Sequence, residues 1–298
     1  MPTQKFSGII TPVLTPFNDD GSIAEDLYFD HCRHVLGQGS DYISPFGTSG
    51  EALSISMTER RDLLEKIIAQ NIVRPDQLMP GTGLCALGDT LSLTKHAVEL
   101  GCAAVMTLPP FFFPNPGDDG LFRYFAKLFE AVGSDTLKIC LYHIPQNAGV
   151  GISPALANRL NVAFPETVVA YKDSSGNWEN TKAVITQAPS VSVFPASETL
   201  IPQATALGAR GCISATCNVN VAQIKRVFLA AQSNDQAALD ADMPSLNRLR
   251  TAVQTAGLIP ALKSTKAHLT GEKRWLNTRA PLLNAERSIG KELSSLCV

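Results

Sequence analysis

The sequence predicts an α/β protein, a (β/α)8 TIM barrel with a C-terminal helical extension. Eight short apolar, β-branched runs recur through residues 8–232, each followed by turn residues and a stretch of helical spacing. The runs are apolar almost throughout instead of alternating, as strands buried on both faces are, which favours parallel strands joined by crossover helices. Residues 233–298 carry helical spacing with no strand between. Eight such units point to a closed barrel, with an open doubly wound sheet as the alternative.

The expected strands are Gly8–Leu14, Tyr42–Phe46, Leu78–Gly81, Ala103–Leu108, Lys138–Ile144, Val168–Lys172, Val191–Pro195 and Gly211–Ala215. Thr58–Gln70 reads as a helix: Ser56 and Glu59 stand at capping-box distance, and Leu63, Leu64, Ile67 and Ile68 share a face. Asp89–Leu100 and Leu121–Ala131 follow the same pattern. Past the eighth strand, Asn234–Gly257, Ile259–Thr270 and Ala285–Leu296 read as successive helices. No Pro/Gly/Ser linker sets them apart. The expected organisation is therefore a barrel over residues 1–232 and an extension over 233–298 packed on it.

Composition narrows the function. With 25 Lys+Arg against 27 Asp+Glu, the chain lacks the basic excess of a general nucleic-acid binder. It has no apolar run of ~18 residues that could span a membrane. The opening Met1–Phe6 has no charged segment leading into an apolar one, so a cytoplasmic location is expected. The seven cysteines are odd in number and scattered without a C-x-x-C, and read as reduced core residues. His31 and His34 share a helix face without a Cys or acidic partner at ligand spacing. They read as a solvated or core-edge pair, and no metal is expected.

Barrel enzymes carry their reacting groups at the C-terminal ends of strands. The sixth expected strand ends in Tyr171-Lys172-Asp173-Ser174-Ser175, which puts a lysine directly after an apolar run. Burial disfavours the ammonium form, and a neutral amine can attack a carbonyl to give an imine. The plainer reading is a lysine snorkelling to solvent. The fifth strand ends in Tyr142-His143-Ile144-Pro145. Tyr142 has a phenol able to donate and accept a proton, while His143, one residue on, faces the other way. After the second strand, Gly47-Thr48-Ser49-Gly50-Glu51 offers hydroxyls and backbone N–H groups in one turn, suited to a carboxylate or phosphate or simply to a βα connection. Gly81-Thr82-Gly83 is a weaker version of the same signal. The three strand ends converge on one site if the barrel closes.

These residues resemble the dihydrodipicolinate synthase / N-acetylneuraminate lyase family of class I aldolases. The matching segments are Gly47-Thr48-Ser49-Gly50-Glu51, Tyr142-His143-Ile144-Pro145, Lys172-Asp173-Ser174-Ser175-Gly176-Asn177 and Gly208-Ala209-Arg210-Gly211-Cys212-Ile213-Ser214, with a similar Thr11-Pro12 to Phe17 opening. The resemblance implies a barrel with a helical extension, assembled as a homotetramer built from a dimer of dimers. It implies that Lys172 forms a Schiff base with pyruvate or another 2-oxo acid, without metal or organic cofactor. It assigns Tyr142 to proton shuttling, Thr48 to orienting that phenol, Ser49, with its own N–H and that of Thr48, to the substrate carboxylate, Gly47 to substrate binding, and Ile213 to the pocket behind the imine.

Two positions depart from the family pattern. Asn147, in Pro145-Gln146-Asn147, stands where synthases carry an arginine for the second substrate's carboxylate, and asparagine cannot form the bidentate charged pair. Phe112, in Phe111-Phe112-Phe113, stands where many members place a tyrosine across a dimer interface to complete the proton relay. On the acceptor side, Ser197 and Glu198 follow the seventh strand. Glu198 would accept hydrogen bonds from a polyol or cap the helix Thr199–Leu207, and both readings stay open. The departures favour a lyase that cleaves a 2-oxo-3-deoxy acid to pyruvate and an aldehyde. The alternatives are 4-hydroxy-tetrahydrodipicolinate synthase, a sugar-acid dehydratase, or a non-catalytic 2-oxo acid-binding paralogue.

Overall fold

The computed structural model describes residues 6–113 and 115–297; Met1–Lys5, on which the reading of the N-terminus rests, lie outside them. Seven strands are present among the described residues: β1 Gly8–Thr11, β2 Tyr42–Ile43, β3 Val105–Thr107, β4 Ile139–His143, β5 Val168–Asp173, β6 Ser192–Pro195 and β7 Gly211–Ile213. Helices alternate with them, and helices alone follow β7. The chain divides into two compact units. One comprises Arg74–Ile213 with the residues up to Gly8, the other Ile9–Val73 with Ser214 onward.

In the first unit β3, β4, β5 and β6 form a parallel sheet in that order. All five residues of β4 are buried, as an apolar run covered on both faces should be. The register pairs Cys140 with Ala170, Tyr142 with Lys172 and His143 with Asp173. The helix Gly117–Val132 covers apolar surface with Leu121, Phe125, Leu128 and Phe129, spaced one and two turns apart, and stops at Gly133 in the left-handed conformation. At Gly211 a Cβ would stand 1.8 Å from the Gly8 carbonyl oxygen, so only glycine lets the two backbones approach there.

The expected strand Leu78–Gly81 is reduced to one parallel bridge between Gly81 and Met106. The Met106 N–H donates to the Pro80 carbonyl at 2.9 Å and the Thr82 N–H donates to the Met106 carbonyl at 3.0 Å. Pro80 has no N–H to extend the ladder, which is why it stops at one bridge.

In the second unit β1 and β2 pair in parallel, Ile10 with Tyr42 and Thr11 with Ile43. The helix Met57–Ala69 starts on the expected capping box. The Glu59 N–H donates to Ser56 Oγ at 3.2 Å, and the Ser56 N–H donates to the Glu59 carboxylate at 2.9 Å. The helices Gln236–Thr255, Leu258–Thr270 and Arg287–Ser294 share an apolar core that includes Leu249, Val253, Ala261, Leu262, Trp275 and Leu293, together with Leu14 and Ala215.

His31 differs from its expected place. It is buried, not at the core edge, because Asn218 Oδ1 lies 2.8 Å from its Nε2 and Trp275 packs edge-on at 5.2 Å. His34, three residues on, is exposed. No disulfide joins any of the seven cysteines among the described residues, and four of the seven are buried. Among the described residues no helix is long and apolar enough to cross a membrane.

Candidate active site

The first unit brings Lys172 and Tyr142 together. They are register partners on β5 and β4, so their side chains leave the sheet on the same face. Lys172 is 4 % exposed and Tyr142 3 %. The lysine Nζ lies over the tyrosine ring, 4.2 Å from its centroid. Among the described residues no carboxylate pairs with this amine. The snorkelling reading is therefore set aside: the side chain runs into the protein, not out to water.

Residues on the opposite face hold the strand ends in place. His143 Nδ1 accepts the Ile152 N–H at 2.9 Å, and its ring stacks on Tyr171 at 5.8 Å. Burial holds this imidazole below its ordinary range, so it is neutral, with its proton on Nε2. Asp173, 4 % exposed, accepts from the Ser175 N–H and hydroxyl at 2.9 and 2.7 Å, and from Asn180 Nδ2 and Thr181 Oγ1 at 2.8 Å each. Four donors to one carboxylate tie the end of β5 to the helix Trp178–Gln187, and with it the backbone that carries Lys172. On the lysine's own face Cys140 is fully buried, and burial pushes its thiol up to about 12. It stays protonated near neutrality and does not compete as a nucleophile.

The remaining candidates of this unit lie on other strands, turns and helices. Ile213 ends β7 and is 1 % exposed. Ser197 bonds its hydroxyl to that of Thr199 at 2.8 Å. Glu198 is 1 % exposed and opens the 3-10 turn Glu198–Leu200 ahead of the helix Ile201–Ala206. The expected helix thus begins two residues late. Asn147 is exposed on the short helix Pro145–Ala148. Phe112 is 93 % exposed on a left-handed backbone with φ of 74°.

Gly47, Thr48 and Ser49 belong to the second unit, in a turn between Phe46 and Glu51, both of which have left-handed backbone at φ of 59° and 56°. Ser49 is 6 % exposed and Thr48 half-buried. At Gly50 a Cβ would stand 2.7 Å from the Val13 carbonyl oxygen, so the second glycine of the motif is required by packing. Sequence reasoning gave Glu51 no role of its own within the motif and did not single out Lys263 or Arg279; the three converge behind this turn. The available signal was Lys263 itself, a lysine directly after the apolar Leu258-Ile259-Pro260-Ala261-Leu262 stretch.

A buried amine over a tyrosine ring, on adjacent parallel strands of an α/β fold, is chemically suited to forming an adduct with a carbonyl. The model of the dihydrodipicolinate synthetase family matches residues 5–297. An uncharacterized DapA-like lyase of Chloroflexus aurantiacus is 35% identical over 259 residues, 86% of this chain and 85% of that protein. A 4-hydroxy-tetrahydrodipicolinate synthase of Thermus thermophilus is 36% identical over 214 residues, 72% of this chain and 70% of that protein. The crystal structure of dihydrodipicolinate synthase from Agrobacterium tumefaciens superposes with a TM-score of 0.90 at 28% identity, covering 98% of each chain.

The chain belongs to the dihydrodipicolinate synthetase family. It has that family's TIM-barrel-like α/β fold with C-terminal helices, and the family's chemistry is lyase chemistry through a Schiff base with a 2-oxo acid such as pyruvate. The named relatives are mostly synthases, which moves synthase chemistry ahead of the cleavage that the sequence favoured.

Proposed function

We propose that this enzyme joins pyruvate to an aldehyde through an imine on Lys172. The observation that carries the assignment is the buried Lys172 amine lying 4.2 Å from the centre of the Tyr142 ring. The amine adds to the C2 carbonyl of pyruvate, and loss of water leaves a protonated imine. A C3 proton departs and its electron pair becomes the enamine, which attacks the aldehyde carbon. Hydrolysis then frees Lys172. Tyr142 moves the protons that C2 oxygen and the aldehyde oxygen gain. Thr48 orients that phenol, Ser49 takes the pyruvate carboxylate with its own N–H and that of Thr48, Gly47 lies beside them on the substrate, and Ile213 backs the imine. Asn147, Ser197 and Glu198 form the aldehyde side.

Phe112 and Phe113, 93 % and 64 % exposed, support association of copies through this loop and the homotetramer of the family reading. Seven cysteines with no disulfide among the described residues support a reducing compartment, the cytoplasm. The barrel over 1–232 and the extension over 233–298 remain the proposed organisation.

A second reading is cleavage of a 2-oxo-3-deoxy acid, the reverse bond change on the same imine. It is favoured by Asn147, which gives an acidic aldehyde no guanidinium to pair with. One assay separates the readings. The enzyme is offered pyruvate with acidic and neutral aldehydes while pyruvate loss is followed, and 2-oxo-3-deoxy sugar acids while pyruvate release is followed. Pyruvate consumption with an aldehyde supports synthesis, and release from the sugar acids supports cleavage. Pyruvate binding with neither turnover would leave a non-catalytic binder and refute both.

A further inference from the structure

Behind the turn that carries Gly47, Thr48 and Ser49 lies a buried charge cluster that the chemistry above does not use. Glu51 closes the turn in the left-handed conformation, where a side chain with a Cβ is disfavoured. Phe46 opens it in the same region. The turn's own bonds are modest: the Gly50 and Glu51 N–H groups reach the Gly47 and Thr48 carbonyls at 3.1 Å each. A turn strained at both ends needs support from outside.

That support comes from the C-terminal helical region. The Glu51 and Lys263 side chains are fully buried and form an ion pair. Lys263 Nζ also donates to the Asn277 carbonyl at 2.6 Å and lies 4.5 Å from the centre of the Phe17 ring. The second Glu51 oxygen accepts the Arg279 N–H at 3.1 Å. The Arg279 guanidinium lies over the same Phe17 ring, 4.6 Å from its centre, and donates to the Gly21 and Ser54 carbonyls at 2.8 Å each. It also pairs with Glu59, the capping residue of the helix that follows the turn. One arginine therefore ties down positions 51, 54 and 59 together.

A buried ion pair returns little net stability over apolar residues of the same shape, whereas it fixes one geometry. We propose that Lys263 and Glu51, with Arg279, are positioning residues that hold the Gly47–Glu51 turn in the shape that receives the 2-oxo acid's carboxylate. This rests on the proposal above that the turn is the carboxylate site. None of the three touches substrate; each acts through the backbone of the turn.

The test is pyruvate-dependent borohydride trapping of Lys172, titrated to half-saturation, alongside hydrogen exchange of the 46–52 backbone. In Lys263→Met the half-saturating pyruvate concentration rises by ~10- to 100-fold, the scale of a misplaced binding group, and exchange in the turn quickens. Glu51→Gln keeps an acceptor for the Arg279 N–H and gives a smaller rise; it carries the test if Lys263→Met does not fold. Lys225→Met is the control. It breaks the ion pair with Asp41 elsewhere in the same unit and lowers the melting temperature with neither effect. Unchanged half-saturation in the folded variants, with the wild type trapped normally, overturns the positioning role. A wild type that pyruvate and borohydride leave unlabelled overturns the function proposed above, and this inference with it.

Discussion

Lys172 and Lys263 are both buried lysines, and their surroundings are opposite. Lys263, 0 % exposed, has an ion partner, a carbonyl acceptor and an aromatic face. Burial still pulls it down to about 8, against the raising effect of Glu51. Lys172, 4 % exposed, has the Tyr142 ring and, among the described residues, no carboxylate. An amine whose partners are all supplied by the protein is committed to holding structure. One placed at a strand end beside a phenol, without such partners, is open to a carbonyl.

The comparison breaks most sharply under substitution of each lysine. Lys172→Ala should bring turnover down to background, with the fold kept as judged by its melting curve. Lys263→Met should do the reverse, sparing the chemical step while costing ~3–5 kcal/mol in denaturant melts, because Glu51 is left buried without its counter-charge. Tyr142→Phe should lower kcat by ~100-fold or more, since it removes a proton carrier and keeps the ring. An unchanged rate would strip Tyr142 of its role.

Lys266 sharpens the contrast from a third side. It is 5 % exposed, stands 5.4 Å from the centre of the Trp275 ring, and has no carboxylate partner among the described residues. Burial pulls it down to about 8. Between pH 8 and the ordinary lysine value of 10.5 the unfolded chain binds the extra proton, so this group's contribution to stability is poorest below pH 8 and improves as pH rises through that window. Lys266→Met should therefore stabilise the protein at pH 7 by ~1–3 kcal/mol, a gain that shrinks towards pH 10.5 in pH-dependent denaturant melts. The smallest expected effect is Phe112→Tyr, which returns a hydroxyl to the exposed loop. Steady-state kinetics should show a gain of ~2- to 10-fold in kcat if the relay is incomplete without it.

Much of this was legible because it lies in local patterns. The apolar runs gave the strands to within a few residues, and Ser56 with Glu59 gave the start of Met57–Ala69. Lys172 and Tyr142 stood out because strand ends are where a polar residue needs explaining. What was hidden depends on partners distant in sequence. The burial of His31 requires Asn218, and the role of Lys263 requires Glu51, more than two hundred residues away. The strand at Leu78–Gly81 failed for a local reason, the missing N–H of Pro80, which sequence spacing alone did not weigh.

The central claim is that one lysine among several buried ones captures the ketone. Incubation with pyruvate and borohydride, followed by peptide mapping of every lysine, tests it directly. The account predicts a reduced pyruvate adduct on the peptide carrying Lys172, with Lys263 and Lys266 unmodified. An adduct on either of those two, or an unmodified Lys172, would contradict it.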